Sequence, residues 1–230
     1  MAERFQLFFK HFAEYGGYKN ILLGLRNTLV IAVCGLIIGI VIGTLIACVQ
    51  LAGKRNKAAK VFSVAGEVYT AIFRGTPIIV QLLIFHYIIF SGTGINSLLE
   101  AVIVFGLNSG AYVAEIMRGG IASVDAGQLE AGRTLGLSYT TSMIKIVFPQ
   151  AIKNVIPTLG NELIALTKDT SVAGYVATMD LNAAFTAIAG ATYDFMVPYI
   201  MLALVYLVLV AAMTVLIKLT ERRLKKSDKK

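Results

Sequence analysis

Long apolar runs, separated by short polar stretches, occupy most of the chain. A helix that crosses a lipid bilayer needs about 20 largely apolar residues. Five runs approach this length, at positions 28–51, 58–90, 98–117, 151–167 and 195–217. The pattern therefore predicts a single all-α integral membrane domain over residues 1–230, with five transmembrane helices.

Two of these runs differ from a simple span. The second is too long for one crossing and too short for two, and Arg74-Gly75-Thr76-Pro77 interrupts it, which predicts a broken or tilted helix. A break at that depth must line a cavity or be covered by protein. The fourth run carries Asn154, Thr158, Asn161 and Glu162, so it cannot face lipid on all sides.

The composition agrees with a lipid environment. Hydrophobic residues make up 57% of the chain and the mean hydropathy is +0.75, above the composition of a soluble domain. Only 15% of the residues are charged, yet the net charge is +8. Because Lys and Arg lie at the ends of the apolar runs, the basic excess indicates a membrane surface rather than nucleic acid.

The basic residues also predict the orientation of the chain. They follow the first run, flank the segment between the third and fourth runs, and fill the C-terminal tail, whereas the short segments near Gly92 and Asp180 carry none. The positive-inside rule then places the N-terminus outside and residues 218–230 in the cytoplasm as a basic tail. Residues 1–27 are expected to form an amphipathic segment on the outer surface. The basic residues are Lys54, Arg55, Lys57, Lys60, Arg118, Arg133, Lys145, Lys153, Lys218, Arg222, Arg223, Lys225, Lys226, Lys229 and Lys230.

Small residues recur at four-residue spacing along the first run, at Gly35, Gly39, Gly43 and Ala47. Such a stripe lets another helix approach closely. We favour packing within the chain over a dimer contact.

The segment 118–150, between the third and fourth runs, is expected to be a structured loop. Residues 126–135 can form a short helix, Gly136 can end it in a left-handed conformation, and Pro149 can begin the next helix. From the residue pattern alone, an ordinary loop fits equally well.

This segment resembles the Glu-Ala-Ala loop of ABC-importer permeases. The matching residues are Glu130, Ala131, Gly132, Gly136, Ile146 and Pro149. Gly132 stands where the family usually has a second Ala, and Phe148 where it usually has Leu. Three further stretches are similar to the polar amino-acid branch of that family: 73–77, 111–120 and 161–171.

The resemblance implies a type I ABC importer permease fold in a bacterial cytoplasmic (inner) membrane. In that family the loop helix docks in a cleft on the ATPase, so the expected ATPase-coupling residues are Glu130, Ala131, Gly132 and Gly136. Two permease chains, identical or paralogous, would pair around a two-fold axis. An extracellular binding protein would deliver the amino acid.

No nucleotide-binding motif is present in this chain. The nearest stretch, 52–55, lacks the first Gly of a P-loop and the Ser or Thr after its Lys. Nothing resembles a nucleophile with its base, and His11 and His86 have no second ligand at metal spacing. We therefore expect no enzyme activity, metal or cofactor in this chain, with ATP and Mg bound by a separate ATPase.

Polar side chains at membrane depth are candidates for substrate binding, because burying them in lipid is costly. The third run carries Asn108, Tyr112 and Glu115 on one helical face. An acid and a base share a face of the second run in the same way. The candidate substrate-binding residues are Glu67, Thr70, Arg74, Asn108, Tyr112, Glu115, Asn161, Glu162 and Asp169.

The charges of these candidates suggest a substrate class. Arg74, or backbone N–H groups freed at the break, suits an amino-acid carboxylate, whereas Glu162 or Glu67 suits an ammonium group. More acids than bases favour a cationic amino acid (arginine, lysine or histidine), with glutamine, glutamate or another polar amino acid as the alternative. Structural ion pairs, Glu67 with Arg74 and Glu162 with Lys168, explain these residues equally well.

Two further alternatives stay open in the sequence. Residues 168–171, at the outer end of the fourth run, suit either an external gate or a helix cap. A transporter of a different class, driven by an ion gradient, would use Glu67, Glu115 and Glu162 as a proton relay and would need no ATPase.

Overall fold

The chain is helical almost throughout, as the apolar runs predict. Our computed structural model describes residues 1–53 and 57–227, without the side chains of 57–58 and 223–227. The basic side chains predicted to set orientation at 54, 55, 57, 223, 225, 226, 229 and 230 lie outside the described residues. The helices are α1 (Ala2–Ala13), α2 (Gly17–Gly53), α3 (Lys57–Gly75), α4 (Ile78–Ile84), α5 (Ser97–Ala122), α6 (Ala126–Thr134), α7 (Tyr139–Ser142), α8 (Phe148–Asp169), α9 (Leu181–Thr192) and α10 (Met196–Ser227).

Three of these helices, α2, α5 and the Met196–Arg222 part of α10, are long and apolar enough to cross a membrane. Two bent pairs extend the number of candidate spans to five. In one pair, α3 meets Ile78–Ile89 at 106°, and in the other the helical stretch Tyr139–Val176 meets α9 at 53°. The all-helical membrane fold is confirmed for the described part of the chain, with three to five candidate spans.

The contact between α2 and α5 forms the centre of the fold. A Cβ atom added at Gly39 would lie 2.7 Å from the Cβ of Ser109, and one at Gly43 would lie 2.6 Å from the backbone nitrogen of Ala114. Side chains larger than hydrogen do not fit at these distances. The stripe of small residues is therefore used within the chain, as expected, and fully buried Phe105 packs beside it.

The N-terminal segment divides between two helices. The α1 helix is amphipathic and buries Phe8 against Phe185, with ring centroids 6.4 Å apart. Gly16, at φ +75°, separates it from α2, which begins at Gly17 rather than near position 28. Leucine and isoleucine carry the α2 helix back through 17–27, before the predicted first run, and the place of this stretch on the outer surface stays a prediction.

The α9 helix, which the apolar runs did not predict, follows the short loop that ends at Asp180. Asp180 caps this helix by accepting a hydrogen bond from the backbone of Ala183 at 2.5 Å. Leu181, Phe185 and Ile188 are buried in a cluster with residues of α1 and α10. With 12 residues, α9 is too short to register as a span, which is why the apolar pattern did not reveal it.

The last two runs extend beyond their predicted ends. Helical structure begins at Tyr139, passes through a π-helical turn at Met143–Val147, and continues into α8. At the other end of the chain, α10 continues to Ser227, through most of the predicted 218–230 tail. Residues 218–227 contain no proline or glycine and are rich in strong helix formers.

Candidate functional site

The break between α3 and α4 is held together by two amide side chains. Pro77 has no N–H group, so the carbonyl of Phe73 loses its ordinary helical partner. The amide nitrogen of Gln81 donates to the carbonyl oxygens of Phe73 at 2.8 Å and Thr76 at 3.0 Å. Asn108 donates to the Phe73 carbonyl at 3.3 Å and to the Gln81 amide oxygen at 3.0 Å. The predicted break is therefore real, and amide side chains satisfy its carbonyls, while residues 74–77 themselves are exposed.

This network gives Asn108 a structural role and adds Gln81, which the sequence analysis missed. Both side chains are buried, so neither is open to a ligand. The signal for Gln81 was present, since it is an amide four residues after a proline in an apolar run.

A charged cluster lies directly beside the break. The guanidinium of Arg74 is 3.7 Å from the carboxylate of Glu115, which also pairs with Arg118. The same guanidinium lies 5.6 Å from the ring centroid of Tyr112, in a cation–π arrangement. The structure thus brings three predicted residues together, but it pairs Arg74 with Glu115 rather than with Glu67.

Glu67 instead lines a polar cleft of about 480 Å³ between α2, α3 and α5. Its carboxylate accepts a hydrogen bond from the hydroxyl of Ser63 at 3.3 Å. Glu115 and Arg118 reach the cleft from α5, and Lys60 reaches it from α3. Acidic and basic groups therefore face each other across a space that suits a zwitterion.

Thr70 does not take part in this cleft. Its side chain is buried, and its hydroxyl donates to the carbonyl of Glu67 in the preceding helical turn at 2.9 Å. This contact satisfies the Thr70 hydroxyl within its own helix. The structure therefore gives no sign that Thr70 can reach a ligand.

The α8 helix presents a second polar surface. Asn161 and Asp169 are exposed, and half-buried Glu162 accepts a hydrogen bond from the hydroxyl of Ser109 at 3.1 Å. Glu162 and Asp169 are seven residues apart and so share one helical face. None of the ion pairs within the described residues involves Glu162, and the predicted pair with Lys168 is not formed.

The α5 helix connects the two polar surfaces. Asn108 donates a hydrogen bond to the break between α3 and α4, while the next residue, Ser109, donates one to Glu162 on α8. Because neighbouring residues of a helix point in different directions, one turn of α5 contacts both surfaces. The candidate residues therefore form two groups on either side of α5 rather than one pocket.

The segment 118–150 contains the expected short helix, α6. Asp125 caps its start by accepting a hydrogen bond from the backbone of Gly127 at 2.7 Å, and Gly136, at φ +84°, follows its end. Glu130 and Ala131 are exposed on this helix. Pro149 lies in the first turn of α8, although helical structure has already begun ten residues earlier in the chain, at Tyr139.

Gly132 attaches α6 to the helical stretch that leads into α8. It is buried, and an added Cβ would lie 2.8 Å from both Ser142 Oγ and Ile146 Cδ1. Gly132 differs from the usual Ala of the loop, and the contact explains the difference, because the two segments approach too closely for a methyl group without adjustment.

His86 has a partner that the sequence did not suggest. Its Nδ1 atom is 2.6 Å from the carboxylate of buried Glu100, in the first turn of α5. In the described part of the chain, no group of three or more His, Cys, Asp or Glu residues could hold a metal ion.

A family model described as the binding-protein-dependent transport system inner membrane component matches residues 35–226. The chain belongs to this family. It is 38% identical over 210 residues to the arginine transport system permease protein ArtQ of Bacillus subtilis, covering 90% of this chain and 94% of that one. It is also 38% identical over 205 residues to a putative glutamine transport system permease protein GlnP of Rickettsia bellii, covering 87% and 91%.

Solved structures agree with this membership. A crystal structure of an amino acid ABC transporter with histidines matches with a TM-score of 0.82 and 34% identity, over 92% of this chain and 97% of that one. The MetNI methionine ABC transporter in an inward-facing conformation matches with a TM-score of 0.74. At 17% identity, the second match shows a shared fold only.

Proposed function

We propose that this chain is the permease subunit of an ATP-driven amino-acid importer in the cytoplasmic membrane. It would cross the membrane five times, with both bent pairs as spans, the N-terminus outside and the C-terminus in the cytoplasm. The observation that carries the proposal is the contact of α6, through Gly132, with the helical stretch that continues into the polar α8. The relatives named as an arginine transport permease and a putative glutamine transport permease support the same class of substrate.

The contact at Gly132 provides a path by which a movement of α6 would reach α8. A partner ATPase would bind the exposed face of α6, at Glu130 and Ala131, and move this helix when it closes on ATP and Mg. The move would pass through Ser142 and Ile146 into α8, because residues 139–169 form one helical stretch. Paired permease chains would then switch a central cavity between its two openings, and an extracellular binding protein would supply the substrate.

The substrate we propose is a cationic amino acid. Glu162 and exposed Asp169 share a face of α8, and the ion pairs of the described residues leave Glu162 without a cationic partner. Arg74, although paired with Glu115, keeps 44% of its side chain exposed and is suited to hold a carboxylate. The relative named as a putative glutamine transport permease supports glutamine as the alternative substrate.

The ion-gradient alternative finds less support in the geometry. A proton relay would need its carboxylates in sequence, but Glu115 is held by Arg74 and Arg118. Glu162 lies on α8 and bonds to Ser109. No described contact links these two carboxylates.

A charge reversal on α6 tests the proposed coupling. The chain is reconstituted with its ATPase and binding protein, and amino-acid-stimulated ATP hydrolysis and uptake are measured for Glu130→Arg. We expect both to be lost, because the exposed carboxylate faces the partner. Glu14→Arg, an exposed reversal on the opposite side of the membrane, serves as the matched control and should leave both unchanged. Normal coupling in Glu130→Arg would contradict the proposal.

A further inference from the structure

The polar cleft that contains Glu67, with a volume of about 480 Å³, lies at one end of the fold. Gln50 lines it from the last turn of α2, Lys60 from the first turn of α3, and Arg118 from near the end of α5. The chain continues from this end of α5 into α6. In the proposed orientation, this end faces the cytoplasm.

The contacts between α2 and α5 show that their C-terminal ends lie together. An added Cβ at Gly35 would meet Phe105, and one at Gly43, eight residues later, would meet Ala114. Since the contacts advance in the same direction along both helices, α2 and α5 run parallel. The cleft therefore lies at the end of the fold from which α6 continues, and not at the outer ends of these helices.

Several polar groups of this cleft have no protein partner. Among the described residues, the Lys60 ammonium and the Gln50 amide form no hydrogen bond or ion pair. Gln50 is only 9% exposed, so bulk water does not fully replace the missing partner. The carboxylate of Glu67 accepts one hydrogen bond, from the Ser63 hydroxyl at 3.3 Å, and forms no ion pair with a described residue. A ligand that bonds to the buried amide would remove the cost of leaving it unsatisfied.

The charges of the cleft are balanced. Lys60 and Arg118 supply two positive charges, and Glu67 and Glu115 supply two negative ones. Arg118 and Glu115 pair with each other, so Lys60 and Glu67 are the two charges left over. A simple anion in the cleft would be repelled by Glu67, and a simple cation by Lys60. A ligand that carries one charge of each sign suits both.

The spacing of the two unpaired charges fits a small zwitterion. Lys60 and Glu67 are seven residues apart on α3, so they share a face and their Cα atoms are separated by about 10.5 Å along the helix axis. Both side chains are long and exposed, so their charged ends can reach a ligand that lies between them. The ammonium and carboxylate groups of an amino acid can bridge this space.

We propose that this cleft is a second binding site for the amino acid, loaded from the cytoplasmic side. The α-ammonium group would bind Glu67, and the α-carboxylate would bind Lys60 and accept a hydrogen bond from the Gln50 amide. The site is separate from the α8 surface, which lies on the other side of α5. The proposal rests on the proposed function for the identity of the ligand and for the side on which the cleft opens.

Protection of a cysteine in the cleft measures its occupancy. Val64 lines the cleft and is 49% exposed, so Val64→Cys places a reactive thiol there once Cys34 and Cys48 are replaced by alanine. Inside-out vesicles with the permease and its ATPase, but without binding protein or ATP, present the cytoplasmic face to a membrane-impermeant maleimide. We expect arginine or glutamine, at about ten times its half-effective concentration, to slow labelling about tenfold, because few cleft sites then stay empty.

Two variants of the cleft and a matched control assign this protection to its charges. In the Val64→Cys background, Glu67→Gln and Lys60→Gln should each raise the half-effective concentration about fivefold, the contribution of one exposed ion pair. Lys60 is exposed, so its replacement tests the site even if Glu67→Gln disturbs packing. Lys218→Gln removes an exposed cation from α10 and should leave protection unchanged.

Agmatine, which is arginine without its carboxylate, separates a zwitterion site from a site for any cation. The proposal predicts that agmatine protects about fivefold more weakly than arginine. Equal protection by both, or no protection by arginine or glutamine, would overturn it. Protection that is lost in Glu162→Gln and kept in Glu67→Gln would also overturn it and assign the effect to the α8 surface.

Uptake driven by ATP is measured separately on the same variants. Uptake without protection would remove the second site and leave the proposed importer function intact. Absence of uptake in the unaltered chain would instead count against the importer function, whatever the labelling shows.

Discussion

The α2–α5 contact and the exposed face of α8 differ in the residues they use, although glycine also brings the other side of α8 close to Ile217, at Gly160. In the first, glycines bring two backbones together so closely that no side chain fits between them. In α8, Asn161 and Asp169 are exposed, and Pro157 lies inside the helix. A π-helical turn comes directly before α8. Prolines and π-helical turns weaken the regular backbone ladder. The difference suggests that α2 and α5 form the fixed frame and that α8 is the element that moves.

The most disruptive change should be Gly43→Leu in the frame. The Cβ of the new leucine would lie 2.6 Å from the backbone nitrogen of Ala114. The clash cannot be relieved by rotating a side chain, because the atom it meets belongs to the backbone. We expect a loss of about 3 kcal/mol, seen as a lower melting temperature or as aggregation in size-exclusion chromatography. Gly190→Leu, at a glycine with open space around it, is the control. A normal melting temperature for Gly43→Leu would mean that the frame is not tightly packed.

Gln81→Leu should cost somewhat less. It leaves the carbonyls of Phe73 and Thr76 without their amide donor at the break, a loss of about 1–3 kcal/mol for buried polar groups. The melting temperature measures it. Asn161→Leu removes an amide from the exposed face of α8 and should leave the melting temperature unchanged while reducing uptake. An equal drop in melting temperature for Gln81→Leu and Asn161→Leu would contradict the difference proposed between the break and the exposed face of α8.

Substitutions at Gly132 should affect transport more than stability. The atoms that an added side chain meets are the ends of Ser142 and Ile146, which can shift and displace α6. We expect Gly132→Leu to lower uptake per ATP hydrolysed by about tenfold, within the usual range of coupling free energies, and Gly132→Ala to have a smaller effect. Unchanged coupling in both variants would remove α6 from the proposed route.

The smallest expected effect is a change in the preference for arginine over glutamine. Glu162→Gln should lower arginine uptake by about fivefold, the value of roughly one partly exposed ion pair, and leave glutamine uptake nearly unchanged. Competition between labelled arginine and unlabelled glutamine measures the ratio. An equal loss for both amino acids would contradict the selectivity role and make Glu162 either a structural residue bonded to Ser109 or an anchor for the ammonium group that both amino acids share.

The sequence predicted the features that depend on local pattern. The stripe at Gly39 and Gly43, the break before Pro77, and the short helix ended by Gly136 all follow from residue spacing and backbone preference. The composition and the positions of the charged residues were sufficient to identify a membrane protein. The family resemblance, rather than the residue pattern, identified the importer.

The missed features depend on how helices are rotated against one another. Arg74 and Glu115 are 41 residues apart in sequence, and their pairing requires the relative orientation of α3 and α5. Gln81 serves a carbonyl eight residues away across a bend of 106°. The spacing of residues along one helix does not reveal contacts of this kind.

Transport with a controlled energy source tests the central claim most directly. Proteoliposomes containing the permease, its ATPase and its binding protein are loaded with ATP and Mg, and ionophores remove every ion gradient. The account predicts that arginine accumulates and that a non-hydrolysable ATP analogue abolishes this accumulation. Accumulation that needs no ATP and collapses with the ion gradient would contradict it.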